Sequence, residues 1–157
     1  MTGMHVIVTT DGSQQSLQAA RKFKSFADPS KVSDISVIAV VRPLAAVGFS
    51  DDLAPSKASA FESLDFRKAA ESAVAAVAGE FDDWGPKVHK KIRSGSPANE
   101  IIKAASQIGA GLIVVASGSR GLSDTVLMGS TAQRIQNYAP CPVLVVRPTK
   151  RKLRKKA

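Results

Sequence analysis

The chain has 157 residues, 44% of them hydrophobic and 22% charged, with a formal net charge of +9. That length fits one domain able to bury roughly two-thirds of its unfolded surface without staples, and a single cysteine rules out an internal disulfide. Six cations, Lys150, Arg151, Lys152, Arg154, Lys155 and Lys156, follow the last acid, Asp124, so removing them from the +9 leaves only +3, and the basicity that would suggest specific nucleic-acid binding belongs to a tail.

The first residues run straight into a short strand over His5–Thr10, with no basic region, long apolar stretch or cleavage site of a signal peptide. No apolar run approaches the roughly 18 residues needed to span a bilayer, so a cytoplasmic, soluble protein without a membrane span is expected. At the strand's end stand Thr9, Thr10, Asp11, Gly12 and Ser13. An acid there can accept hydrogen bonds from ribose hydroxyls or help hold a metal on phosphates; its other role is simply to turn the chain into a helix. Ser13 is a good N-cap, and Leu17, Ala20, Phe23 and Ala27 follow at helical spacing.

A second strand is predicted over Ile35–Val41. The stretch Arg42–Ser56, with Pro43, Gly48, Asp51-Asp52 and Pro55, then reads as a long exposed loop, either a lid or a plain surface connection. A helix over Phe61–Phe81 carries Val74, Val77 and Phe81 on one stripe and Arg67, Lys68 and Glu71 elsewhere, as packing on a sheet requires. Asp82-Asp83 read as solvated turn charges, and Trp84, beside Gly85 and Pro86, as closing a turn onto the core. Val88–Ile92 is the third strand, and Ser96-Pro97 is a cap followed by a proline at the first helical position. Leu112–Ala116 and Val143–Val146 are the last two strands, short and rich in valine like buried parallel strands.

Strands alternating with helices imply right-handed crossovers and a parallel sheet covered on both faces. In such sheets ligands sit beyond the carboxyl ends of the strands, which points to the loops beginning at Thr9, Val41 and Ser117. The third of these, Ser117 to Ser130, is the most informative: glycines at 118, 121 and 129 can bring bare backbone close to a phosphate, and a helix starting near Ser130 would aim unpaired N–H groups at it.

Enzymatic constellations are sparse. His5 and His89 lie within or beside strand patterns rather than at carboxyl ends, and the serines at 117, 119, 123 and 130 have no activating histidine nearby. There is no Gly-x-x-x-x-Gly-Lys-Ser/Thr loop. Cys141, in Pro-Cys-Pro, reads as a small core hydrophobe. No catalytic residue and no protein-held metal is expected, leaving Asp11 as the one acid placed to meet a magnesium ion carried by a nucleotide.

Taken in order, Val6-Ile7-Val8-Thr9-Thr10-Asp11-Gly12-Ser13, Gly95-Ser96-Pro97, Val114-Val115-Ala116-Ser117-Gly118-Ser119-Arg120-Gly121, Gly129-Ser130 and Ala139-Pro140-Cys141-Pro142-Val143-Leu144-Val145-Val146-Arg147 resemble the universal stress protein family. The resemblance covers nearly the whole chain to Pro148. It implies one domain over 1–148 followed by a basic, disordered tail over 149–157. The fold would be a flavodoxin-like or Rossmann-like α/β sandwich with five parallel strands ordered 3-2-1-4-5, forming a homodimer through the strand at 143–147. Carried over by position, it implies ATP, with magnesium, held by Thr9, Thr10, Asp11, the backbone of Val41, Ser117, Gly118, Gly121, Gly129, Ser130 and Thr131, in a regulatory stress-response protein rather than an enzyme. One departure stands out: seven residues separate Gly121 from Gly129 where the family's ATP motif has nine, about half a helical turn fewer. That spacing predicts a displaced or rotated Gly129-Ser130 turn. It also supports a different class of function, a stress protein without ATP acting through protein contacts. Slow ATP turnover or autophosphorylation would require Asp11-held metal, and the tail implies only weak, salt-sensitive attraction to polyanions.

Overall fold

A computed structural model describes residues 3–42, 57–118 and 129–147. Five strands, β1 (Met4–Thr10), β2 (Val32–Val41), β3 (Lys87–Ser94), β4 (Leu112–Ala116) and β5 (Val143–Val146), form one parallel sheet in the order β3-β2-β1-β4-β5, as expected. The main helices are α1 (Gln14–Phe26), α2 (Lys57–Gly79), α3 (Pro97–Ile108) and α4 (Ser130–Tyr138). Alternation of side chains along the strands divides the core in two. Val6, Val8, Ile35 and Val37 pack with α1 and α2 through Phe23, Val74 and Val77, while Ile7, Ile38 and Ile113 pack with α3 and α4 through Ile101 and Ile135. Because every strand is parallel, all five carboxyl ends lie along one edge of the sheet, with β1 and β4 side by side at its centre.

Local chemistry sets the helix limits. The Ser13 hydroxyl accepts a hydrogen bond from the Ser16 N–H at 3.1 Å and starts α1. Gly109, left-handed at φ 65°, ends α3. Ser96 departs from expectation: it occupies the N-cap of α3 but its side chain makes no capping bond, so Pro97 at the first position sets that start through its fixed φ. α2 begins at Lys57 rather than Phe61 and ends at Gly79, leaving Phe81 just beyond it in a turn. Trp84 closes that turn onto the core, its ring 5.6 Å from Phe81 and 5.8 Å from Phe23, and Asp82 and Asp83 are exposed. Of the loop 42–56 only Arg42 lies within the described residues, and the tail 149–157 lies outside them.

β2 starts three residues before its apolar run and β3 outlasts its own at both ends, because Asp34, Lys87, Arg93 and Ser94 pair through backbone groups whatever their side chains carry. β3 is an edge strand, and Lys87, Lys90, Lys91 and Arg93 along it discourage pairing with another chain. On the α3 face His5, Ser36, Asp34 and His89 form a network. His5 Nε2 lies 2.8 Å from Ser36 Oγ, His89 Nε2 is 2.9 Å from Asp34 Oδ1, and the two rings are 5.9 Å apart. Burial pushes the His5 imidazole below its usual value; Asp34 opposes that, and His89 and Lys91 add to it. A histidine with a depressed native pKa binds fewer protons in the native than in the unfolded state, so stability falls as pH drops below about 6.5 toward the native value. The urea midpoint is therefore expected to decline between pH 7.5 and 5.5, and His5→Asn to flatten that decline; parallel slopes for the two proteins would contradict it. The Asp34 carboxyl, lowered chiefly by its hydrogen bond from His89, adds a further loss only at more acid pH.

Candidate functional site

The carboxyl edge of the sheet holds a cleft of about 1180 Å³ between the β1, β2 and β4 ends, with α2 on one side and the start of α4 on the other. Of the residues singled out from sequence, Thr9, Thr10, Asp11, Val41, Ser117, Gly118, Gly129, Ser130 and Thr131 all line it. Gly121 lies outside the described residues.

Their individual geometry separates scaffold from free chemistry. Thr9 Oγ1 donates to the Val114 carbonyl at 3.2 Å, tying β1 to β4. Thr10 is buried; its Oγ1 pairs with Ser16 Oγ at 2.8 Å and accepts from the Gly12 N–H at 3.1 Å. These hydroxyls shape the turn. Asp11 Oδ1 accepts the Ser13 N–H at 2.9 Å, which fixes the carboxylate at the mouth of the cleft while the residue stays exposed. The Val41 carbonyl accepts the Gly95 N–H at 3.0 Å, so part of its backbone is engaged by the β3 exit.

Ser117 is different. It is only 1% exposed, its N–H donates to the Val146 carbonyl at 3.0 Å, and its Oγ finds no hydrogen-bond partner among the described residues. A buried hydroxyl without a partner is costly and rare in a native fold. Beside it the chain comes close to itself: the Gly129 N–H donates to the Ser117 carbonyl at 2.6 Å, and a Cβ at Gly129 would stand 3.0 Å from that oxygen and 3.6 Å from Gly118 Cα. Gly118 adopts φ +77°, the left-handed region that favours glycine. Across the seven-residue spacing Gly129 stands beside Gly118, and a direct hydrogen bond from Gly129 to Ser117 joins the two ends of the loop. Gly129 caps α4 without a side-chain bond, so the N–H groups of the first turn at Ser130 and Thr131 face no capping side chain.

Sequence reasoning missed Phe66, Ala69, Ala70 and Ala73, which present α2 to the cleft, and Arg42 at its mouth. Their signal was a helical stripe at 66, 69/70 and 73, overlooked beside the stripe that faces the sheet. Cys141 is half-buried against the α3–α4 core, and burial pushes its thiol up, away from the reactive thiolate. Among the described residues no group of three His, Cys, Asp or Glu side chains could hold a metal ion, and no helix is long and apolar enough to cross a membrane.

Residues 4–147 match the model of the universal stress protein family. A universal stress protein of Methanocaldococcus jannaschii is 31% identical over 148 residues, covering 93% of this chain and 83% of the relative. Among solved structures, the universal stress protein UspA of Lactobacillus plantarum aligns with a TM-score of 0.69 at 23% identity, over 94% of this chain and 99% of the other. A universal stress protein family protein from Arabidopsis thaliana with AMP bound aligns at 0.64 and 16%, over 98% and 97% of the two chains. A universal stress protein in complex with cAMP aligns at 0.55 and 22%, over 93% and 98%. At these identities the structures establish a shared fold.

Proposed function

The chain belongs to the universal stress protein family, and on that premise we propose that it is a regulatory protein that binds an adenine nucleotide at the carboxyl edge of its sheet. The observation that carries this reading is the buried Ser117 hydroxyl, without a partner among the described residues, beside the Gly118–Gly129 contact, a polar group and two bare backbones lining one cleft. Bound AMP and cAMP in two proteins of the same fold support an adenine nucleotide as the ligand class.

In this assignment the adenine lies by Val41, Asp11 meets the ribose or a magnesium ion on the phosphates, and the phosphates rest against Ser117, Gly118, Gly129, Ser130 and Thr131, with Gly121 completing the loop. Anions are stabilised there by the α4 N-terminus, and ATP with magnesium is the form that would use both ends of the cleft. The domain occupies residues 1–148 of a cytoplasmic protein and the basic tail 149–157 stands outside it. Two copies pair through β5, whose four residues are only half-buried in the single chain; two-fold pairing covers that edge. The role is regulatory; any slow turnover would depend on Asp11-bound magnesium and vanish in Asp11→Ala.

Calorimetric titration with AMP and with magnesium-ATP tests the reading against Gly118→Ala. Alanine at φ +77° costs about 1–2 kcal/mol unless the loop turns, and a turned loop loses its approach to Gly129. Micromolar binding of either nucleotide, weakened about tenfold or more in the variant, is the expected result. No binding up to millimolar concentrations would overturn it in favour of the second reading, a nucleotide-free stress protein acting through protein contacts, which the seven-residue spacing between Gly121 and Gly129 favours.

A further inference from the structure

The face that α2 turns toward the cleft has a composition unlike the one it turns toward the sheet. Val74 and Val77 are buried in the core. Phe66, Ala69, Ala73 and Ala76 line the cleft, as does Ala70, which also belongs to that core. The alanines carry nothing beyond Cβ, which leaves a slot between α2 and the β2 end at Ala39, Val40 and Val41. At the top of the slot Phe66 is 51% exposed, a large aromatic left half in water on a helix whose Val74 and Val77 are buried. Farther down, a Cβ at Gly12 would lie 3.6 Å from the Ala73 methyl, so the alanine wall runs directly into the Asp11–Gly12 turn.

The cleft thus has two chemical ends. One is the apolar slot under Phe66; the other is Ser117, whose buried Oγ has no partner among the described residues and whose carbonyl meets Gly129 beside Gly118. A ligand matching both is flat and aromatic at one end and anionic at the other. Resting on the adenine-nucleotide reading above, we propose that Phe66 is the specificity-determining residue of the cleft: its ring stacks on the base laid along the alanine face of α2, so that a nucleotide is chosen over ribose phosphate alone. A phenyl ring already half exposed gains by covering a base, and stacking is tolerant of which purine lies against it.

Calorimetry with AMP and with ribose 5-phosphate, on the full chain and on Phe66→Ala and Phe66→Trp, tests this. The wild-type protein is expected to prefer AMP; Phe66→Ala loses about tenfold for AMP with ribose 5-phosphate binding unchanged, and Phe66→Trp restores AMP binding. Because Phe66 is half exposed, its truncation leaves the urea midpoint nearly where it was, which separates a lost contact from a damaged fold. AMP binding equal in wild type and Phe66→Ala overturns the stacking role while leaving the nucleotide reading intact. Equal losses for AMP and ribose 5-phosphate overturn it as well, since the effect would then not act through the base. If wild type binds neither probe, the nucleotide reading fails and this inference falls with it.

Discussion

Phe81→Ala is expected to destabilise the fold by about 3–5 kcal/mol, the range for truncating a large buried aromatic. Phe81 is 1% exposed and sits in the turn that follows α2, its N–H bonded to the Ala78 carbonyl at 3.0 Å and its carbonyl to the Trp84 N–H at 3.1 Å. Its ring lies 6.2 Å from Phe23 of α1 and 5.6 Å from Trp84, so one side chain joins α1, the end of α2 and the approach to β3. The same turn holds Asp83 at φ 62°, a left-handed conformation that a non-glycine residue keeps only where its surroundings enforce it. Truncation opens a cavity beneath that turn and removes two aromatic contacts together. Phe81→Leu, which keeps most of the volume, should lose clearly less. Urea unfolding of the three proteins measures the difference; a loss below about 1 kcal/mol for Phe81→Ala would mean that the cluster collapses to fill the gap.

Legibility in the sequence followed the physics of each element. β4 and β5 were readable to the residue because continuous apolar runs end abruptly at Gly111, Ser117, Pro142 and Arg147. β2 and β3 were shortened, since Asp34, Lys87 and Arg93 join the ladder through backbone groups that pair whatever the side chain carries. The Ser13 cap was legible and the Ser96 bond was not: a cap depends on which way a hydroxyl turns, and sequence gives only its presence. At the site, the glycines and Asp11 were visible as types at strand ends. What stayed hidden was tertiary: that Thr9 and Thr10 are occupied by scaffold bonds, that Gly129 meets Ser117 across a shortened loop, and that α2 offers Phe66 to the cleft.

Ser117→Ala should move stability and nucleotide affinity in opposite directions. In the free protein the Oγ is buried with no partner among the described residues, and removing such a group relieves a desolvation penalty of about 1–3 kcal/mol. The backbone bond from Ser117 N–H to Val146 and the one its carbonyl accepts from Gly129 do not involve the side chain and survive the change. The methyl left behind still packs at a 1%-exposed position, so the ligand-free variant is expected to be the more stable protein. With nucleotide present the comparison reverses, because wild type then satisfies its hydroxyl on a phosphate oxygen and the variant cannot. The affinity lost corresponds to the same 1–3 kcal/mol, about fivefold to 150-fold. Since a ligand stabilises the state it binds, urea midpoints measured with and without saturating magnesium-ATP read both effects in one experiment. A variant less stable than wild type without ligand would mean that Ser117 Oγ already has a partner in solution. Unchanged affinity would take the hydroxyl out of the phosphate site and leave the two glycine backbones and the α4 N-terminus to hold the anion.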